Sequence, residues 1–452
     1  MRHKKSKYNV IITEFPDSSL LIYNTRSGLF GKMNAKTRTL YERIETADIS
    51  ALDDDELQKN AKTMLEAGYI VDAELDETSL IVLQREIARC NTTSFGFTIA
   101  PTMDCNMCCP YCYEKKRASY MNAETQDAVV NFIKTHFDAY PTAKRLHITW
   151  YGGEPLLHKE AIYNISKTLI ALCDEKNLTY QADIITNGVL LDEETAKRLA
   201  QECKIMSAQV TVDGLGPYHN KKRILKSGED SYEIIIQNLE TARKYLNISV
   251  RVNVDKQNAG QLEELAKVFF IEHGWSENPR LYFAPVENYD NSCVAEDTCL
   301  QLPEFAKINT DMTRVLYSFN QEVARRDLYP KRNIVHCGAE NVYTYVIDPD
   351  GDLYKCWLDV GNKTFKCGSI DKPFLVTEEY ARWVLSTLPD KCMQCEYLPI
   401  CCGGCAAHRV RNDGGLHCAH TLYNYKDMLK LAYEDYLAQQ ATGIIQNVEG
   451  NG

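Results

Sequence analysis

Eighteen cysteines are carried by 452 residues, and they crowd into two stretches instead of spreading along the chain. Cys105, Cys108, Cys109 and Cys112 share one short run. Cys392, Cys395, Cys401, Cys402, Cys405 and Cys418 gather near the C-terminus, behind Cys337, Cys356 and Cys367. The first residues, MRHKKSKYNV, are basic but lead into no apolar core, so no secretory signal is read there and a cytoplasmic chain is expected. A reducing compartment does not sustain a disulfide framework of this size. Cysteine in such numbers then points to metal or redox chemistry. Charge narrows the field further: 51 basic against 62 acidic residues leave a net charge of −11 with no basic block, which argues against nucleic acid as a partner. No run approaches the ~18 apolar residues of a membrane span.

Periodicity divides the chain. Residues 1–90 read as strands Tyr8–Thr13, Leu20–Asn24 and Leu29–Met33, then helices from Ala35 and around Leu57–Leu65, stopped by Gly68. A short strand Tyr69–Val71 and an acidic tail follow. Strands followed by helices at this size suggest a winged-helix-like domain or a plain N-terminal extension. Residues 95–330 alternate strand and helix, with strands Gly96–Pro101, Leu146–Tyr151, Gln181–Thr186, Ser207–Asp213, Ile248–Asp255 and Leu281–Val286. Six such units imply α/β architecture with a parallel sheet. Six is too few for a closed eight-stranded barrel, so a partial (β/α)6 barrel is expected, with its chemistry at the C-terminal ends of the strands. Residues 331–420 lose that rhythm and read as a segment held by metal. A helix over about Thr421–Gln439 and a disordered tail make up 421–452.

Cys105-x3-Cys109-x2-Cys112 follows the first barrel strand. Three thiolates on so short a loop can cap three corners of a [4Fe–4S] cube and leave one iron open to a small chelating molecule. Cys108 is off the spacing, and a zinc site with a distant fourth ligand is the alternative. The segment MDCNMCCPYCYE resembles the radical S-adenosylmethionine superfamily. That resemblance implies a cluster that donates an electron to bound S-adenosylmethionine, which then cleaves to methionine and a hydrogen-abstracting 5′-deoxyadenosyl radical. Three later segments match in order: Gly152-Gly153-Glu154-Pro155 after strand two, Thr186-Asn187-Gly188 at strand three, and Thr211-Val212-Asp213-Gly214 at strand four, with Arg223 beyond. The resemblance gives Gly152, Gly153, Glu154 and Asn187 to the cofactor. It also implies contact of Thr211 with the ribose region, of Arg223 with the carboxylate and of Tyr111 with the adenine side. On its own Arg223, in a Lys-Lys-Arg run, would read as a solvated surface residue.

Cys337-x13-Gly351-x4-Cys356, then Cys392-x2-Cys395-x5-Cys401-x3-Cys405 and Cys418, resemble the seven-cysteine SPASM domain of peptide-modifying radical enzymes. A zinc ribbon with His408, His417 and His420 is the plainer reading. The resemblance implies two auxiliary clusters, so three [4Fe–4S] clusters in all. Cys392, Cys395, Cys401 and Cys418 would complete one of them. Cys337, Cys356 and Cys405 would hold the other, whose fourth ligand is Cys367, Cys402 or a substrate thiol. Cys90, Cys173, Cys203, Cys293 and Cys299 read as core or surface thiols.

In the anaerobic sulfatase maturases that share this plan, an aspartate follows the Gly-x4-Cys cysteine. Here Trp357 stands in that place and the nearest acid is Asp359. With the N-terminal segment, this points toward maturases that form cysteine thioethers in ribosomally made precursor peptides, the 1–90 domain gripping the leader by strand addition. Carbon–carbon cross-linking and sulfatase-maturase-like activity are the neighbouring readings, and an iron–sulfur electron carrier is the reading of another class. A reductant such as flavodoxin or ferredoxin is implied as a partner. No catalytic side chain is singled out.

Overall fold

In the parallel strands, side chains alternate between a fully apolar face and a mixed polar one, and that alternation builds the barrel half of the molecule. The computed structural model describes residues 2–46, 49, 52, 54–275, 278–287, 298–373, 375–411 and 416–441, with side chains 321, 323 and 326 left aside. Cys293 and the tail expected beyond 441 lie outside the described residues. The chain forms two compact units: Cys90–Val323 with Cys337–Ser386, and Met1–Arg89 with Ala324–His336 and Thr387–Gly452.

The N-terminal segment supplies strands β1 (His3–Lys5), β2 (Asn9–Glu14), β3 (Leu20–Asn24), β4 (Phe30–Met33) and β5 (Ile70–Asp72). β2, β3 and β4 make an antiparallel sheet, and β1 pairs with β5. Helix Ala35–Glu42 starts at Asn34, whose side chain accepts the Thr37 N–H, and helix Asp55–Glu66 starts at Asp54, which accepts the Leu57 N–H. All five residues of β3 are buried. Leu20 and Ile22 pack with Leu40, Ala61 and Met64, while Leu21 and Tyr23 pack with Tyr397, Ile400, Tyr425 and Leu429. The C-terminal helix Tyr425–Ala441, preceded by a 3-10 turn His420–Tyr423, therefore covers the second face of the N-terminal sheet.

Helix Glu77–Arg89 occupies the segment read from sequence as ending in an acidic tail. Its buried face carries Arg85 and Arg89 beside Ile81, and it exposes Leu83 and Ile87. That inverted pattern hides the helical period. The acidic residues are its start: Asp76 accepts the Ser79 N–H.

The barrel unit contains β6 (Ser94–Ile99), β7 (Arg145–Trp150), β8 (Thr179–Thr186), β9 (Ile205–Thr211), β10 (Asn247–Val254) and β11 (Arg280–Pro285) as sequential parallel neighbours. Helices Ala123–Ala139, Lys159–Lys176, Glu193–Cys203 and Tyr232–Ala242 return the chain between strands. The partial (β/α)6 barrel read from the sequence is present, with strand ends within about two residues of expectation. Ile148, Trp150, Ile184, Ala208, Val210, Val250 and Val252, all at most 1% exposed, form the apolar face. The sheet does not stop at six strands: β12 (Tyr345–Ile347) runs parallel beside β6, and the antiparallel β13 (Asp352–Tyr354) and β14 (Gly368–Ser369) extend it to nine. Each of these added strands is only two or three residues long, too short for periodicity to reveal. Among the described residues no helix is long and apolar enough to cross a membrane.

Ile148→Ala deletes a fully buried side chain from a central strand. A loss of about 3 kcal/mol is expected, read as a lower urea midpoint for unfolding of the barrel unit. An unchanged midpoint would mean that the core relaxes to fill the space.

Candidate functional site

The loop after β6 is held by hydrogen bonds to the rest of the protein. Thr102 is fully buried, donates its hydroxyl to the Ser119 carbonyl at 2.6 Å and accepts the Asp104 N–H. Asp104 accepts the Cys105 N–H at 2.8 Å and is paired with Lys226, which holds its carboxyl below the usual range. The Cys108 N–H donates to the Ile224 carbonyl at 2.7 Å. Cys105, Cys109 and Cys112 line one cavity of about 200 Å³, and Cys108 is exposed and outside it. Burial pushes the Cys105 thiol up to about 12 and the Cys112 thiol up to about 11. Bound iron reverses that logic, because the metal's charge favours the thiolate. Lys116 adds a positive charge near all three sulfurs.

The second wall is the turn after β7. Gly152 has φ +120°, and a Cβ there would lie 2.3 Å from the Thr102 carbonyl oxygen. A Cβ on Gly153 would lie 2.2 Å from the Asp104 carbonyl oxygen. Only glycine lets this turn close on the cysteine loop, and backbone bonds Gly153 N–H to Thr102 O and Glu154 N–H to Asp104 O fasten the two together. Glu154 itself is fully buried. Its carboxylate accepts from the Thr186 hydroxyl at 2.7 Å, the Asn187 N–H at 2.7 Å and the Leu156 N–H at 3.0 Å. It acts from behind the wall, setting the Thr186-Asn187 corner. The Asn187 side chain then donates to Asn106 of the cysteine loop at 2.6 Å.

Thr211, Arg223 and Tyr111 complete the lining. Arg223 is 8% exposed, so the solvated-surface reading of its basic run is set aside. It donates to the Tyr111 hydroxyl at 2.8 Å and lies 3.7 Å from Asp213, to which the Tyr111 hydroxyl also donates. Asp213 in turn accepts the Asn253 N–H at 3.0 Å. The structure thus brings together Cys105, Cys109, Cys112, Tyr111, Gly152, Gly153, Asn187, Thr211 and Arg223. Asp213, which ties two of them together, stood within a quoted motif but received no role from its sequence.

The far side of the cavity holds residues the sequence reading missed, Tyr113, Glu114, Tyr151, Arg251 and Asn253, beside Trp357, which it had marked. Trp357 stacks on Tyr151 with ring centres 5.1 Å apart and donates its indole N–H to Thr98 at 3.0 Å. Tyr113 and Tyr151 join hydroxyls at 2.5 Å. Burial pushes Glu114 up to about 8, against hydrogen bonding from Tyr151, which lowers it. The adjacency of Tyr113 and Glu114 to Cys112 was the available signal.

The C-terminal cysteines fall in both units. Cys392, Cys395, Cys401 and Cys418 share one neighbourhood in the unit with the N-terminal sheet, each within electrostatic reach of others of the set. Burial raises the Cys401 thiol, against the nearby Ala419, Gly403 and Gly404 backbone, and the Gly404 N–H donates to the Cys401 carbonyl at 3.3 Å. A Cβ on Gly404 would lie 2.0 Å from the His417 carbonyl oxygen, so glycine is required there too. Cys405 belongs to this unit, and Cys337 and Cys356 to the barrel unit. Of the two candidate fourth ligands, Cys367 belongs to the barrel unit and Cys402 to the other. Cys367 donates to the Leu353 carbonyl at 3.1 Å and Cys402 to the Asn333 carbonyl at 2.7 Å.

With this geometry in view, residues 99–269 match the model of the radical SAM superfamily. A serine-type anaerobic sulfatase-maturating enzyme of Klebsiella aerogenes is 22% identical over 326 residues, covering 67% of this chain and 77% of the relative. The solved structure of native anSMEcpe with bound AdoMet and Cp18Cys peptide aligns at a TM-score of 0.58 and 20% identity, over 77% of this chain and 99% of the other. Streptococcus suis SuiB bound to precursor peptide SuiA aligns at 0.53 and 16%, over 91% of this chain and 97% of that one. Each of the two likenesses shows a shared fold.

Gly153→Ala forces the turn off the cysteine loop. Its affinity for S-adenosylmethionine is expected to fall about tenfold or more, with an unchanged far-UV circular dichroism spectrum. Undiminished affinity by calorimetry would mean that the close approach is not what shapes the cavity.

Proposed function

We propose that this chain, which carries a radical SAM domain and is related to anaerobic sulfatase maturases and to maturases of ribosomally made peptides, is a peptide-modifying enzyme that forms a cysteine thioether in a precursor peptide. The observation that carries the reading is one cavity lined by three thiols at cluster spacing, a backbone cradle of two glycines and a buried arginine. The donor set fits the group: three sulfurs leave one iron free, and the glycine turn leaves backbone exposed where a Cβ would intrude. When bound, a [4Fe–4S] cluster and S-adenosylmethionine supply reductive cleavage of the sulfonium and hydrogen abstraction from the substrate.

The chain's own residues bind and orient. Cys105, Cys109 and Cys112 would hold the cluster. Gly152, Gly153 and Asn187 offer backbone and amide groups, and Arg223 offers a guanidinium suited to a planar carboxylate. Tyr111 and Asp213 hold Arg223 in place. Apolar and aromatic side chains, among them Met107, Ile185, Val286 and Trp357, limit water.

The finer assignments follow from the same reading. Residues 1–90 would act as the leader-binding domain, 95–330 as the radical domain and 331–420 as the auxiliary-cluster domain. Two auxiliary clusters would join the first, one held by Cys392, Cys395, Cys401 and Cys418 and the other by Cys337, Cys356 and Cys405. The fourth ligand of the latter would be Cys367, Cys402 or a substrate thiol. A flavodoxin or ferredoxin would supply electrons in the cytoplasm. Trp357, in the place of a proton-accepting acid, favours this reading over sulfatase maturation. The sequence relatives support the latter as the second reading.

Anaerobically reconstituted protein is expected to carry near 12 iron atoms, about three cubes, and to release 5′-deoxyadenosine. Replacing Cys105, Cys109 and Cys112 together with alanine should abolish that release and leave about eight irons, two cubes. Continued release by this variant would rule out the assigned site. Iron near four with zinc present would remove the auxiliary clusters.

A further inference from the structure

The corner that carries Arg223 is held from behind. β9 ends at Thr211, and the short helix Gly216–Lys222 follows and leads into Arg223. Its residue His219 is fully buried. The Asp213 N–H donates to His219 Nδ1 at 3.3 Å, and the Arg223 N–H donates to the His219 carbonyl at 2.7 Å. One residue thus holds both members of the Asp213–Arg223 pair, its ring on the first and its backbone on the second. Burial, with the Arg223 charge nearby, pulls the imidazole down to about 3. The ring is therefore neutral at working pH, and because Nδ1 accepts, Nε2 bears the hydrogen. Nε2 makes no hydrogen bond among the described residues, and the ring stands T-shaped to Tyr232 with centres 5.6 Å apart. The one polar contact of the imidazole goes to Asp213. The other polar groups of Asp213 are bound as well: its carbonyl accepts from the Asn258 amide at 2.6 Å, and its carboxylate accepts from the Asn253 N–H and the Tyr111 hydroxyl. Without His219 its N–H would be left buried and unpaired.

We propose that His219 is a positioning residue for cofactor binding: its Nδ1 fixes the backbone at Asp213 and, through the Asp213 carboxylate, the direction of the Arg223 guanidinium. The inference rests on the reading of Arg223 as the partner of the carboxylate of S-adenosylmethionine. It adds the group that sets where that guanidinium points. His219 does not line the cavity, touches no ligand and moves no proton; it acts on the cofactor through two other residues.

The test compares His219→Asn with His219→Gln in the cluster-loaded protein, without reductant so that the ligand is not consumed. An asparagine amide oxygen falls where Nδ1 stands, whereas a glutamine amide reaches the place of Nε2. The probes are S-adenosylmethionine and 5′-methylthioadenosine, which lacks the amino-acid portion, each titrated calorimetrically. His219→Gln is expected to bind S-adenosylmethionine about fivefold more weakly than the wild type, the scale of one neutral hydrogen bond, and to bind 5′-methylthioadenosine equally well. His219→Asn should bind both ligands as the wild type does. His219→Leu takes the place of the glutamine variant if that one does not fold. A loss shared by the asparagine variant overturns the proposal, because the acceptor is then not what matters. A loss that extends to 5′-methylthioadenosine also overturns it, since that marks a general loosening of the cavity. Arg223→Gln separates the proposal from the reading beneath it. If that variant weakens S-adenosylmethionine while His219→Gln leaves both ligands at wild-type affinity, the proposal fails and the reading of Arg223 stands. If Arg223→Gln binds S-adenosylmethionine as the wild type does, the carboxylate reading fails and the proposal falls with it.

Discussion

The candidate site depends on two backbones that touch. The turn at Gly152-Gly153 lies so close to the carbonyls of Thr102 and Asp104 that no side chain could stand between them. That contact joins the ends of β6 and β7 into one rigid lip. Glu154 extends the lip to the end of β8 through two hydrogen bonds, from Thr186 and Asn187, and Asn187 returns it to the cysteine loop. A ring of short, buried, polar contacts thus fixes where the three sulfurs point. Its members are tied to one another by the protein's own hydrogen bonds, which is what preorganisation requires.

A second ring stands opposite. Asp213 accepts from Tyr111 and from the Asn253 backbone, and Arg223 is drawn toward both Tyr111 and Asp213. In isolation each of these polar groups would be a liability in a buried place. Linked, Asp213, Tyr111 and Arg223 compensate one another, and Tyr111 and Arg223 line the cavity.

Much of this was legible in the residues. The strands of the barrel declare themselves because one face must be apolar against helices, and their ends carry the motifs that line the cavity. Other features left no periodic trace. Helix Glu77–Arg89 buries arginines and exposes Leu83 and Ile87, so its amphipathic signal is inverted. Strands β12, β13 and β14 are too short to show alternation. Asp213 takes its role from Tyr111 and Asn253, distant in sequence, and a single position does not announce such partners. The run Leu20-Leu21-Ile22-Tyr23 did hold a clue: four apolar residues in succession have no polar face, which asks for cover on both sides.

That doubly covered strand has a consequence for how the chain can change. β3 is a party wall, with Leu20 and Ile22 facing the N-terminal helices and Leu21 and Tyr23 facing Tyr397, Ile400, Tyr425 and Leu429. Cys395 and Cys401 pack at the margin of the latter group. The first ninety residues and the last cysteines therefore share one core, although some three hundred residues separate them in sequence. Neither can be exchanged for the equivalent piece of another protein without leaving the other half-unpacked. Recombination that trades one end alone is penalised by the same apolar surface, so the two ends are bound to be inherited, lost and altered as a pair.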